Sequence, residues 1–207
     1  MIATASPKTH VAQPQGNLLP SDGEAFYLGR ILTAKESRIY FDALFGSIAW
    51  KHDTATIFGK QIVTARKVAW YGDQPYAYTY SGSTKEALPW TAELRELKAR
   101  VESVSNAKFN SCLLNLYRSG NEGMSWHSDD EKMLTPRAPI ASLSLGAERK
   151  FSFKHRTNGQ KATVILEDGS LLIMAGATQE HWLHSLPKSA RVNAPRINLT
   201  FRIFATL

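Results

Sequence analysis

The chain has 207 residues, 43% of them hydrophobic, and its 25 Lys and Arg against 18 Asp and Glu leave a formal charge of +7, an excess that favours a polyanionic partner such as nucleic acid. That length suits one domain with a decorated end; no run of eighteen apolar residues offers a membrane span, and the first residues lack the basic-then-apolar pattern of a secretory signal. Cys112 is the only cysteine, which excludes an internal disulfide and a cysteine-built zinc site and suits a reducing, intracellular compartment.

Residues 1–22 mix Ala, Ser, Thr, Pro, Gln and Lys without apolar period, so a disordered tail is expected there, with one domain over 23–207. Ala25 to Leu32 is apolar enough for a strand. Thr33 and Glu36 then make a capping box for a helix running to about Ser47, with Tyr40, Leu44 and Ile48 on one face. From 48 to 90, Trp50, Phe58, Trp70, Tyr71, Tyr76, Tyr78 and Tyr80 interleave with Lys51, Lys60, Arg66 and Lys67, and Gly59, Gly72 and Gly82 punctuate short strands. Aromatics beside cations can stack bases and neutralise phosphates, although ordinary aromatic packing in a sheet has the same pattern.

Thr91 to Ser105 spaces Leu94, Leu97, Val101 and Val104 three, four and three apart, which predicts an amphipathic helix lying on a sheet. Short strands then recur over 109–204: Ser111–Arg118, Ile140–Leu145, Lys150–Lys154, Ala162–Leu166, Leu171–Met174, Gln179–His184 and Arg196–Phe204. Turns such as Asn158-Gly159 and Asp168-Gly169 separate them. The pattern predicts an α+β chain that is mainly β, a sandwich or barrel with two flanking helices.

Within that run, Trp126-His127-Ser128-Asp129-Asp130-Glu131 sets a histidine and a carboxylate two residues apart. In extended chain positions i and i+2 face one side, so an imidazole nitrogen and a carboxylate oxygen can converge on one metal ion. A second histidine, His184, lies downstream in His181-Trp182-Leu183-His184-Ser185-Leu186-Pro187. Two histidines and one carboxylate with open positions form the ligand set of non-haem Fe(II) oxygenases. Taken alone, His-x-Asp is a weak signal and more often an ordinary polar loop.

In the last strand Arg196, Asn198, Thr200 and Arg202 alternate with Ile197, Leu199, Phe201 and Ile203. Such a polar face usually meets water. Two arginines, an amide and a hydroxyl on one face can also line a barrel interior and hold a small dianion, because arginine matches carboxylates bidentately. Asn115 and Tyr117 share a face of an earlier strand and can reach the same anion.

Together these motifs resemble the AlkB family of Fe(II)- and 2-oxoglutarate-dependent dioxygenases, in the branch that repairs alkylated bases. The resemblance rests on Asn115-x-Tyr117, His127-x-Asp129, His184 before Ser185-Leu186-Pro187, and Arg196-x-Asn198-x-Thr200-x-Arg202. It extends to Tyr71-Gly72-Asp73 and Tyr78-Thr79-Tyr80-Ser81-Gly82, and covers roughly residues 26–204. It implies a double-stranded β-helix, or jelly roll, over 109–204 and an N-terminal nucleotide-recognition lid over 48–90. It implies Fe(II) on His127, Asp129 and His184, with 2-oxoglutarate and O2 as co-substrates, and leaves His181, His155 and His52 structural.

The resemblance also implies Arg196 at the distal carboxylate of 2-oxoglutarate, helped by Tyr117 and Asn198. Arg202 and Asn115 would meet its metal-side carboxylate, with Thr200 adjacent. Tyr78, Thr79 and Tyr80 would form a lid over a flipped base, and Asp130 and Glu131 would face the exocyclic amine of 1-methyladenine or 3-methylcytosine, their plain alternative being a solvated acidic turn. Ile57-Phe58-Gly59 resembles a duplex-invading finger with Phe58 at its tip, whereas Ala69-Trp70-Tyr71-Gly72 and Gly176-Ala177-Thr178-Gln179 resemble a homologue preferring single strands. The implied activity is oxidative demethylation of N-alkylated bases in DNA, or in RNA, with release of formaldehyde, by a monomer without membrane contact. A sister oxygenase acting on protein or RNA and a non-catalytic nucleic-acid-binding module are the alternatives.

Overall fold

The computed structural model describes residues 16–57, 60–80 and 83–205, and within them the side chains of all but 55–57, 60–62, 78–80 and 83–85. In chain order the elements are β1 (Glu24–Arg30), α1 (Ala34–Ser47), β2 (Lys51–Ile57), β3 (Lys60–Gly72), β4 (Ala77–Tyr80), β5 (Ser83–Glu86), β6 (Leu88–Pro89) and α2 (Ala92–Ser105). There follow β7 (Ser111–Tyr117), β8 (Met124–His127), β9 (Ile140–Gly146), β10 (Arg149–His155), β11 (Lys161–Leu166), β12 (Ser170–Ala175), α3 (Thr178–His181), β13 (Trp182–Leu186) and β14 (Arg196–Arg202).

Both long helices start at their side-chain caps. Thr33 Oγ1 accepts from Glu36 N at 3.2 Å while the Glu36 carboxylate accepts from Thr33 N at 2.8 Å, so two otherwise unpaired donors at the start of α1 are satisfied. The buried stripe of α1 is Ser37, Phe41 and Leu44. On α2 it is Leu94, Leu97 and Val101, all fully buried. These side chains share one core with Leu114, Leu143, Ile197, Leu199 and Phe201 from β7, β9 and β14. Each such burial contributes roughly 1.5–3 kcal/mol relative to exposure, which holds the helices against the outside of the larger sheet.

That sheet has eight strands in the order β1-β12-β9-β14-β7-β3-β2, with β6 alongside β3. A second sheet of four runs β11-β10-β13-β8, and β4 and β5 form a separate ribbon. Phe151, Phe153, Trp182 and Leu186 from the smaller sheet pack with Tyr117, Ile140 and Leu172 from the larger one. Two sheets, antiparallel apart from the short β3–β6 pair, facing across an apolar core, with helices on one outer surface, make the expected jelly roll.

Two local expectations change, and one strand was not foreseen. Residues 17–22 do not continue a disordered tail: Leu19 is buried, Leu18 N donates to Ala25 O, and Trp182 Nε1 donates to Ser21 O. An apolar Leu18-Leu19 pair inside a polar stretch supplies the anchor. The segment expected as one strand over Gln179–His184 is the helical turn α3 followed by β13. Gly176, at φ 59°, ends β12 in a conformation that only glycine adopts freely, and Glu180 N and His181 N both turn back to Ala177 O. β8 is a strand of only four residues that local pattern does not single out. Among the described residues no helix is long and apolar enough to cross a membrane.

Candidate metal and co-substrate site

The pairing of β8 with β13 sets His127 directly opposite His184. Facing positions of an antiparallel pair lie close enough for side chains to meet, and the two rings are 4.2 Å apart between centroids. Asp129 follows just past the end of β8. Its Oδ1 lies 3.8 Å from His127 Nε2 and 3.9 Å from His184 Nε2, and the three ligand atoms all fall within 4.8 Å of one another.

The protonation states suit a cation. His127 Nδ1 donates to Ser125 O at 2.8 Å, which leaves the Nε2 lone pair facing the other two ligands. Burial pushes His184 down to about 4, so at neutral pH it is the neutral imidazole that binds metals. Burial would raise the Asp129 carboxyl, but chiefly the Arg202 guanidinium, hydrogen-bonded to it, outweighs burial and holds it below its ordinary value. Two imidazoles and one carboxylate, with their ligand atoms within 4.8 Å of one another, fit a divalent iron.

Arg202 lies across this group. Its Nη2 is 2.9 Å from Asp129 Oδ1 and its Nη1 is 2.9 Å from Glu131 Oε1, so both terminal nitrogens already serve carboxylates. Glu131 Oε2 is buried with no partner among the described residues. Asp130 is exposed and accepts from Ser128 Oγ. A cavity of about 450 Å³ opens beside Asp129, Asp130 and Glu131, with Arg156, Gln179 and Ile203 also in its wall.

The polar face of β14 points inward. Arg196, Asn198, Thr200 and Arg202 are each less than a tenth exposed. Arg196 Nη2 donates to Asn198 Oδ1 at 2.6 Å and to Ser144 Oγ at 2.8 Å; Ser142 Oγ donates to the same Asn198 oxygen, and Asn198 Nδ2 donates to Thr200 Oγ1. The Arg196 guanidinium sits 5.7 Å from the Tyr117 ring centre, and Arg149 lies 5.9 Å from the same ring. Burial lowers Arg196 to about 10, still protonated at neutral pH. None of its hydrogen-bond partners is a carboxylate, and its Nε is buried without a partner among the described residues. A buried cation whose hydrogen-bond partners are all neutral, with a second cation, Arg149, nearby, is costly, and the cost is relieved by an anion.

Several groups at this site carried no sequence signal of their own. Gln179 Oε1 accepts from the backbone N–H of Asp129 at 2.9 Å, and Arg156 Nη2 joins Ser128 Oγ to the Gln179 carbonyl. Arg66 Nε donates to Asn115 Oδ1 at 3.0 Å while its Nη2 pairs with Asp53, which ties the β2–β3 hairpin to the pocket. Ser142 and Ser144 were findable, because they alternate along β9. His181 stands apart from the triad, stacked on His155, whose Nε2 lies 3.3 Å from Asp22; His52 Nδ1 bonds Thr64 O on the hairpin. Phe58 lies outside the described residues, as do the side chains of Tyr78, Thr79 and Tyr80.

Residues 24–202 match the 2OG-Fe(II) oxygenase superfamily. A mouse protein described as DNA oxidative demethylase ALKBH2 is 44% identical over 154 residues, covering 70% of this chain and 64% of its own. Human alpha-ketoglutarate-dependent dioxygenase alkB homolog 3 is 41% identical over 178 residues, covering 81% of this chain and 62% of its own. The chain therefore spans a little over three fifths of these relatives' lengths. Mouse alkB homolog 3 is 36% identical over 218 residues and matches 98% of this chain and 75% of its own. The solved structure of OsALKBH1 superposes with a TM-score of 0.62 at 16% identity, over 92% of this chain and all of that one, a likeness of fold. Fe(II), with 2-oxoglutarate and O2, is the equipment of that superfamily, and His127, Asp129 and His184 form the metal-binding triad here. The chain belongs to the AlkB family of Fe(II)- and 2-oxoglutarate-dependent dioxygenases.

Proposed function

We propose that this chain removes methyl groups oxidatively from N-alkylated bases, 1-methyladenine and 3-methylcytosine, in DNA, with RNA as a second substrate, and so repairs alkylation damage. The observation that carries the reading is Arg196: a buried guanidinium with neutral partners and an unpartnered Nε, one sheet away from a His-Asp-His triad. A dicarboxylate that reaches from Arg196 to the triad neutralises the first while meeting the second. Residues 23–207 act in this reading as one catalytic unit, with 48–90 as its lid.

Each group then has a role. His127, Asp129 and His184 bind the iron. Arg196, with Tyr117 and Asn198, holds the distal carboxylate of 2-oxoglutarate; Arg202 and Asn115 serve its metal-side carboxylate, with Thr200 adjacent. Iron, 2-oxoglutarate and O2 together supply the oxidising power that hydroxylates the N-methyl carbon, after which formaldehyde leaves. The chain aims that methyl and keeps water out. A methyl on the pairing edge of a stacked base is unreachable, so the base is flipped out, and Tyr78, Thr79 and Tyr80 are assigned to receive it. The free Glu131 Oε2 is suited to accept from the exocyclic amine and to favour a cationic methylated base. Phe58 is assigned to the gap left in a duplex. The enzyme works as a monomer inside the cell.

The test is anaerobic loading with Fe(II) and 2-oxoglutarate, then admission of O2 in the presence of methylated oligonucleotides. Mass spectrometry should show loss of the methyl group in step with formaldehyde and succinate. Succinate formation with the oligonucleotide unchanged would be uncoupled turnover and would count against these lesions as the substrate.

A further inference from the structure

The smaller sheet has two faces, and only the inner one is used by the chemistry above. It carries His127, His184, Phe151 and Phe153. Alternation puts Lys150, Ser152 and Lys154 of β10, and Lys161, Thr163 and Ile165 of β11, on the outer face. At the free edge of the sheet, His127 pairs with His184 but Met124 pairs with Leu186, so two β8 residues, Ser125 and Trp126, stand opposite Ser185. Trp126, next to the inward-facing His127, falls on the outward side of the strand, and the residue is 44% exposed.

The charge on this face is one-sided. No Asp or Glu occupies an outward position on any of the four strands. Lys154 and Lys161 are direct cross-strand partners, and like charges so placed oppose each other. Elsewhere basic side chains have carboxylate partners: Arg30 with Glu148, Arg38 with Asp42, Arg100 with Glu36, Arg137 with Glu180. Lys154 and Lys161 also lie at the metal end of the sheet, where Arg156 reaches Ser128, while Lys150 sits about 13 Å further along β10 at roughly 3.3 Å per residue.

We infer that this outer face is a platform for a single-stranded polynucleotide, the strand that flanks the base held at the metal. Trp126 stacks on a neighbouring base, and Lys150, Lys154 and Lys161 meet phosphates. This rests on the nucleic-acid reading above and adds the form of the partner. A flat sheet with an exposed aromatic edge and cations suits splayed bases, whose faces are free; in a duplex those faces are already stacked.

The experiment measures binding by fluorescence anisotropy to a labelled single strand with one central 3-methylcytosine, and to the same strand with abasic sites on both sides of the lesion. For the natural chain the abasic flanks should weaken binding roughly 5- to 100-fold. Trp126→Ala should weaken the intact strand by a similar factor and leave the abasic strand nearly unaffected, with Trp126→Phe keeping most of the affinity. Lys154→Gln combined with Lys161→Gln should flatten the log–log salt dependence by about 1.4, two contacts at roughly 0.7 each, and raise Tm without nucleic acid because the opposed charges are gone. Equal losses on both strands with Trp126→Ala, or an unchanged salt slope in the lysine variant, would overturn the platform. So would a matching loss on a methylated duplex, which places Trp126 in a general role. Demethylation is followed on the same strands: turnover without the stacking pattern sinks the platform alone, and the stacking pattern without turnover sinks the enzymatic reading alone.

Discussion

Arg196 keeps its charge among hydroxyl, amide and aromatic neighbours, and its stability and function therefore pull in opposite directions. Replacing a buried charge by an apolar side chain of similar shape is often neutral or stabilising. Arg196→Met should then melt at the same temperature as the natural chain or higher, yet need far more 2-oxoglutarate. Arg196→Lys keeps the charge and loses the planar fork, so its 2-oxoglutarate requirement should rise roughly 10- to 100-fold, since hydrogen bonds to charged groups contribute about 1.5–3 kcal/mol. A titration of 2-oxoglutarate beside a melting curve reads both; unchanged affinity in either variant would mean that the anion binds elsewhere. Gln179 poses the complementary case. It holds the Asp129 backbone from the side, so Gln179→Ala should lose about 10-fold in Fe(II) or Co(II) affinity with Tm unchanged, and Gln179→Glu, which keeps an acceptor, should lose less. Equal metal affinity in Gln179→Ala and the natural chain would leave Gln179 a bystander. The difference in legibility between the two residues is physical. Alternation marked Arg196 as part of one polar face but left open whether that face meets water; its burial is what the structure adds. Gln179 had no such mark, because its partner is a backbone N–H fifty residues away, and backbone donors leave no trace in side-chain pattern.

At the level of elements, the helices were legible to within a residue because caps and apolar stripes are local. The α1 box also makes stability depend on pH. Hydrogen bonds from Thr33, the backbone N–H first, hold the Glu36 carboxyl below its ordinary value of 4.5. Between the native and unfolded values the unfolded chain binds the extra proton, so stability rises with pH; the contribution is complete above 4.5 and fades as pH falls below it. Thr33→Ala should cost about 1 kcal/mol at neutral pH. Glu36→Gln should flatten the acid side of the Tm-versus-pH curve, and a curve that keeps its slope in that variant would assign the slope to other carboxylates. β8 and α3 were the elements not legible. Four residues are too few to show a period, and Gln179–His184 alternates well enough to pass for strand. The helical turn matters because it sends Gln179 toward Asp129 and His181 onto His155, leaving His184 as the one histidine of that segment in the triad. His184→Ala should therefore abolish metal binding, and His181→Ala should keep it; the reverse result would break the ligand assignment.

For the whole molecule, the groups assigned to the proposed chemistry stand on different sheets. The triad comes from β8, β13 and the loop after β8, whereas Asn115, Tyr117, Arg196, Asn198, Thr200 and Arg202, proposed to hold 2-oxoglutarate, lie on β7 and β14 of the larger sheet. That arrangement was not legible in advance, because β14 lies between β7 and β9, and β1 pairs with β12, through contacts that no local pattern encodes. It has a thermodynamic consequence. A ligand that binds only the native state stabilises it in proportion to its affinity, and one that touches both sheets binds only when they are docked. Mn(II) is a redox-quiet probe for the triad. Mn(II) alone should raise Tm modestly, 2-oxoglutarate alone less, and both together by more than the sum, because in the proposed arrangement the co-substrate spans from Arg196 to the metal. Arg196→Met should keep the Mn(II) shift and lose the synergy, while His184→Ala should lose both, and a chelator should return the natural chain to its metal-free Tm. Strictly additive shifts in the natural chain would show that 2-oxoglutarate and the metal bind independently, and the bridge between the sheets would have to be abandoned.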